Sequence, residues 1–212
     1  LPPATDASHS EQLAHWVADA AQRLGGRTLV LATSLRALQV MAGVLQQRFA
    51  AGCGIEVLVQ GQAPKRHIME RFRAPADATG HVLVGSASFW EGFDVPGDAL
   101  QLLVIDKLPF PPPGDPLVQA HGQRLQQQGR SAFRDYALPA AAVALKQGAG
   151  RLIRSESDRG VLVVADQRLL CMGYGKRLLR ALPAMRALES QAEFEAALDA
   201  LTRTSTTERP GT

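Results

Sequence analysis

The sequence predicts an α/β domain in three layers, with a mainly parallel central sheet covered by helices on both faces. Two observations lead there. Short, almost continuously apolar runs recur at 27–33, 55–59, 81–85, 100–105 and 160–166, as strands buried on both faces require. Amphipathic stretches separate most of them, and strands alternating with helices close into a parallel sheet. No internal repeat interrupts the pattern. In such sheets ligands bind beyond the carboxyl ends of the strands. The polar residues that end the runs, Thr33-Ser34, Gly85-Ser86 and Asp106-Lys107, are therefore candidates for a site.

Each element has its own signal. Ser8 and Glu11 have capping-box spacing ahead of Leu13, Trp16, Val17, Ala20 and Leu24, an apolar stripe at helical period. Gly25-Gly26 ends that helix, and the first strand follows. Leu38, Met41, Leu45 and Phe49 share one face of the second helix. Ile68, Met69 and Phe72 mark a short third helix. Helices are expected over about 116–128 and 132–154, and again near 175–181 and 190–201. The expected organisation is a linker over 1–9, one domain over 10–201 and a polar, fraying tail over 202–212.

Bulk properties bound the function. At 212 residues the chain holds one large domain with a sizeable core. A formal net charge of +3 is too small to establish nucleic-acid binding. Cys53 and Cys171 are far apart and in no metal-ligand spacing, so they are expected to be buried or half-buried thiols in a reducing cytoplasm. The five histidines are scattered without ligand or triad spacing. No apolar run is long enough to cross a membrane. No secretory signal opens the chain, which starts at Leu1 rather than Met and is expected to be a fragment or a processed product.

The most informative segment is Gln147-Gly148-Ala149-Gly150-Arg151-Leu152-Ile153-Arg154. On a helix, Gln147, Gly150, Arg151 and Arg154 share a face. Two arginines one turn apart repel each other, and an anion between them reverses the sign. Their rigid forks of donors fit phosphate oxygens. Gly148 and Gly150 each cost a helix about 1 kcal/mol relative to alanine, which points to a close approach to the backbone. Two arginines alone would indicate a solvated basic face; the glutamine and glycines at this spacing favour a phosphate site.

A second cluster runs from Gly85 to Gly97, directly after a strand. Gly85, Ser86 and Ser88 offer amide and hydroxyl donors suited to a nucleic-acid backbone. Glu91 and Asp94 are acceptors for a ribose hydroxyl or an arginine, while Phe89, Trp90 and Phe93 are expected in the core. Ser34 reads as a helix N-cap, and Thr33 with Ser34 also as a phosphate clamp; one residue can do both. The prolines of 108–116 force a stiff, extended crossing. No phosphate-gripping G-x-x-x-x-G-K-[ST] loop is present, and Gly175-Lys176 lacks its spacing. No acidic pair follows a strand in a way that would hold magnesium. The arginines are thus expected to serve a nucleotide bound mainly elsewhere.

Together these segments resemble the C-terminal motor domain of the DinG/XPD-type superfamily 2 DNA helicases, in the bacterial DinG-like branch. The resemblance is carried by Leu31-Ala32-Thr33-Ser34, by Gly85 to Gly97, by Lys107-Leu108-Pro109-Phe110-Pro111 and by Leu145 to Arg154, and runs from about Leu13 to Leu182. It implies a RecA-like domain facing a second such domain across an ATP cleft. Arg151 and Arg154 are then arginine fingers, with Gln147 their partner at the phosphates. Glu91, Gly92 and Asp94 lie on the nucleotide side and couple it to DNA. Thr33, Ser34, Gly85, Ser86 and Ser88 fall where the family touches single-stranded DNA. The resemblance further implies 5′ to 3′ movement, ATP and Mg²⁺ held mainly by an N-terminal motor domain, and an iron–sulfur cluster in that half. A replication or repair protein is a possible partner, and the cytoplasm the expected location. Two other readings stay open: a non-hydrolysing module that binds single-stranded nucleic acid or a protein, and an unrelated α/β nucleotide-binding enzyme.

Overall fold

The computed structural model describes residues 1–50, 52–73, 79–86, 89, 95, 99–153 and 158–207, with backbone alone over 204–207. Five strands, β1 (Thr28–Ala32), β2 (Ile55–Val59), β3 (Gly80–Ser86), β4 (Leu102–Ile105) and β5 (Val161–Val164), form one sheet. Their order is β2-β3-β1-β4-β5, and every neighbouring pair is parallel. Around it lie α1 (His9–Leu24), α2 (Leu35–Arg48), α3 (Lys65–Arg73), α4 (Pro116–Gln127), α5 (Leu138–Leu152), α6 (Arg168–Cys171), α7 (Gly175–Leu179) and α8 (Gln191–Thr207). The fold is the RecA-like three-layer α/β architecture that the strand–helix alternation predicts.

Strand side chains alternate between two cores. Val30, Ala32, Val82, Val84, Leu102 and Val104 pack with α1, α2 and α8. Leu29, Leu31, Leu83, Leu103 and Ile105 pack with α3, α5 and α7. Burial on both faces explains why the strands are apolar throughout rather than alternating. Leu145 anchors α5 in the second core and is fully buried. Leu145→Ala is expected to cost about 2–5 kcal/mol. At about 2–4 °C per kcal/mol for a chain of this size, the thermal midpoint should fall by about 4–20 °C. Calorimetry measures it.

All the expected strands are present: β2 has the expected bounds, β3 is longer by one residue at each end, and β1, β4 and β5 are shorter by two, two and three residues. The last ends at Val164 because the Asp166 carboxylate turns back to accept from the amides of Leu108 and Arg168. The capping box of α1 does not form. Ser8 is already helical, at φ −82° and ψ −7°, rather than extended as a cap requires; its hydroxyl donates to the Asp6 carboxylate and accepts from the Gln12 side chain instead of from a helix amide. Gly25 does end α1 in the left-handed region, at φ 63°. The Gly25-Gly26 corner also lies hard against the start of β3: a side chain at Gly80 would overlap the Gly25 carbonyl. The helix expected over 132–154 is two pieces, a π-helical turn Phe133–Ala137 and then α5. Helix α8 continues into the expected tail, to Thr207, and the short α6 carries no periodic signal. Cys53 and Cys171 are both exposed, contrary to expectation. Cys53 sits in the glycine-flanked turn before β2, and Cys171 at the end of a helix too short to cover it.

Candidate functional site

Four strand ends meet at the carboxyl edge of the sheet. In register, Ala32 pairs with Ser86 and Leu31 with Ile105, so Thr33, Ser86 and Asp106 are neighbours there. Strand order reverses between β1 and β4, the position where open α/β sheets leave a crevice. Thr33 and Asp106 occupy it. The Thr33 amide donates to Asp106 Oδ1 at 2.8 Å and its hydroxyl to Oδ2 at 3.3 Å. Asp106 is fully buried, and burial pushes its carboxyl above the usual range against the opposing pull of the Thr33 bonds and Lys107. Thr33's donors are therefore already taken by a carboxylate that would repel a phosphate.

Ser34 begins α2, and its Oγ accepts from the Ala37 amide at 3.2 Å, which makes it the N-cap the sequence suggests. Its helix N-terminus faces the same edge. Gly85 and Ser86 end β3. Gly85 packs against the buried Phe89, where an added Cβ would come within 3.2 Å of the ring-bearing carbon. The Ser86 amide and hydroxyl both donate to Gln60 Oε1, at 2.6 and 3.0 Å. Ser88, Glu91, Gly92 and Asp94, with Trp90 and Phe93, lie outside the described residues, as does Arg154.

The other candidate cluster is at the opposite edge. Helix α5 starts beside α7, which follows β5, and ends where Leu152 closes on Gly160, which precedes β5. Gln147, Gly150 and Arg151 share a face of its last turns, as the spacing predicts. The helix then stops: Ile153 is extended, at φ −119° and ψ 111°. Gln147 is exposed and Arg151 half-buried. Among the described residues neither has a hydrogen-bond or ion-pair partner. Open space surrounds Gly150, so nothing within the described chain requires a glycine there. The structure thus brings Thr33, Ser34, Gly85 and Ser86 together, and sets Gln147 and Arg151 apart from them.

Three further groups went unread in the sequence. Asp166 is buried and takes the Arg168 guanidinium at 2.6 Å and the Leu108 amide at 2.9 Å. Burial alone would raise its carboxyl; the Arg168 guanidinium and the two amides outweigh that and hold it below the usual range. Arg168 lies over Phe110, which packs with Phe133 and Tyr174, so the proline-rich crossing forms a wall on this side. His9 is fully buried, with Nδ1 against the Pro2 carbonyl and Nε2 against that of Asp106. Gln60 is the first polar residue after the run 55–59. The strand-end argument applied to the other runs would have found it.

A RecA-like sandwich with an arginine-bearing helix and no phosphate loop of its own is the form of a helicase's second domain. The family model described as "Helicase C-terminal domain" matches residues 17–185, and the chain belongs to that family. It is 40% identical over 183 residues to the ATP-dependent DNA helicase YoaA of Escherichia coli, covering 86% of this chain and 28% of that protein. It is 37% identical over 202 residues to the ATP-dependent helicase DinG of Mycobacterium tuberculosis, covering 95% of this chain and 29% of that protein. It is also 36% identical over 174 residues to a protein named 3'-5' exonuclease DinG in Bacillus subtilis, covering 80% of this chain and 18% of the relative. The chain thus spans less than a third of the length of these relatives. No helix among the described residues is long and apolar enough to cross a membrane.

Proposed function

We propose that this chain is the second motor domain of an ATP-dependent DNA helicase of the DinG/XPD type, with residues 10–201 as the domain and α8 carrying it on to Thr207. The observation that carries the reading is Arg151, a half-buried guanidinium near a helix end with no protein partner among the described residues. A cation so placed is suited to an anion that arrives from a facing domain. Arg151 and Arg154 would stabilise the negative charge that builds on the transferring phosphoryl group, with Gln147 beside them. Glu91, Gly92 and Asp94 would link that site to the strand. The residues present fit the phosphate end of ATP. The phosphate loop and Mg²⁺ ligands are assigned to an N-terminal motor domain, together with any iron–sulfur cluster. Because the arginines reach the nucleotide only when the cleft closes, closure and chemistry are coupled.

At the carboxyl edge, Ser34 and Ser86 are the stronger candidates for gripping single-stranded DNA, with Gly85 and Ser88 beside them. Thr33 is the weaker, since the acceptor on its donors is the Asp106 carboxylate, which would repel a phosphate, whereas the acceptor on Ser86 is the neutral Gln60 carboxamide. Translocation 5′ to 3′ and a role in repair or replication follow from the family resemblance. Ser34→Ala combined with Ser86→Ala is expected to weaken single-strand binding by about tenfold, one or two charge-assisted hydrogen bonds, without unfolding the domain. Fluorescence anisotropy with an unchanged dissociation constant would count against the grip.

The test of the whole reading is ATP turnover by the complete protein, with and without single-stranded DNA, beside this chain alone. Stimulated turnover in the first and none in the second is the expected result. DNA binding without turnover in the complete protein would favour the non-hydrolysing module.

A further inference from the structure

Gln60 is placed to do more than pack. It follows β2 directly, and its amide continues the ladder by donating to the Val84 carbonyl at 2.9 Å. Its side chain reaches across to the end of β3. The Ser86 amide can only donate, so the carboxamide atom facing it is the oxygen, and the orientation of the group is fixed. With the Ser86 hydroxyl on the same oxygen, the acceptor end of the carboxamide is fully engaged. Its Nε2 carries two N–H donors. Gln60 is half-buried, and among the described residues nothing accepts from them. One turn further, α3 opens with the exposed Lys65, whose ammonium sits over the Phe89 ring at 5.1 Å. Donors and a positive charge thus converge beside Ser86 on the β2 side.

We propose that Gln60 is a further strand-binding residue. Its oxygen holds Ser86 in position, and its Nε2 donates to a backbone phosphate oxygen of a single nucleic-acid strand lying along the carboxyl edge. This rests on the reading of Ser86 as a strand contact and extends the track towards β2 and Lys65. At Thr33 the corresponding acceptor is an anionic carboxylate; at Ser86 it is a neutral amide with donors to spare. The phosphate track therefore runs over β3 and β2 rather than over the β1–β4 crevice.

Gln60→Glu separates the two roles of the side chain. The glutamate keeps an acceptor for Ser86 and replaces the outward NH₂ by a negatively charged oxygen. Binding of a fluorescein-labelled oligo-dT single strand by the complete protein is measured by anisotropy at fixed salt, with a thermal melt to show that each variant is folded. Gln60→Glu is expected to weaken binding by about tenfold or more, through loss of a bond to a charged group and gain of a like charge. Gln60→Ala should weaken it less. Wild-type affinity in Gln60→Glu, with Ser86→Ala impaired, would overturn the role given to Gln60 and leave the grip at Ser86 standing. Wild-type affinity in Ser86→Ala would instead remove the reading on which it rests.

Discussion

In the complete protein, Arg151→Ala and Arg154→Ala should each lower DNA-stimulated ATP turnover by about 10³-fold or more, with ATP binding little changed. The asymmetry is the point. An arginine that meets the phosphoryl group mainly as charge develops on it contributes to the rate and little to ground-state affinity. Arg151 would take this proposed role from the last turn of α5, backed by the buried Leu145, Ala149 and Leu152. Arg154 lies outside the described residues, and its assignment rests on the family resemblance. Turnover assays with a nucleotide-binding measurement on the same samples decide the matter. Normal hydrolysis in either variant would remove that arginine from the site.

Asp166→Ala is expected to be the most damaging change away from the helical core. It deletes a buried carboxylate that serves the Leu108 amide, the Arg168 amide and the Arg168 guanidinium at once. Arg168 is part-exposed, which tempers the loss. About 2–4 kcal/mol should go, most of it from leaving the Leu108 amide without its acceptor in the interior. The pH dependence has a definite sign. A carboxyl held below its unfolded value of about 3.9 contributes stability that is present above that pH and lost as pH falls through the folded value. Asp166→Asn should flatten this part of the acid limb of the melting profile. Asp106 works the other way: burial raises its carboxyl, so its unfavourable contribution is absent below the unfolded value and grows as pH rises through the folded one. A melt series from pH 3 to 7 on both Asn variants would separate them, and equal acid limbs in wild type and Asp166→Asn would refute the assignment.

What was legible in the sequence was whatever repeats or stops locally. Five apolar runs became five strands because burial on both faces leaves no room for polar residues. Gly25 ended α1 because only a left-handed turn could. Ser34 became a cap because its hydroxyl meets an amide three residues on. What stayed hidden depended on partners far away in the chain. Asp106 and Thr33 are 73 residues apart, Gln60 and Ser86 are 26, and His9 and Asp106 are 97. No local spacing encodes such pairs; only the strand order does. Ser8 shows the reverse failure. Its spacing to Glu11 suited a capping box, but its backbone is helical rather than extended, and its hydroxyl serves Asp6 and Gln12 instead. The end of α5 was misjudged for a similar reason, since arginine and isoleucine carry no stop signal and the helix ends on tertiary grounds.

Helix α5 spans the sheet from one rim to the other as a single rod of about 22 Å. Its first turn lies beside α7, and its last beside the residue that leads into β5. No loop intervenes to absorb a tilt, and close packing along its length resists bending. A rod of this length, closely packed, would carry a displacement at one rim to the other. On the proposed function, nucleotide and strand would meet the domain at opposite rims, and the sandwich itself would be the lever.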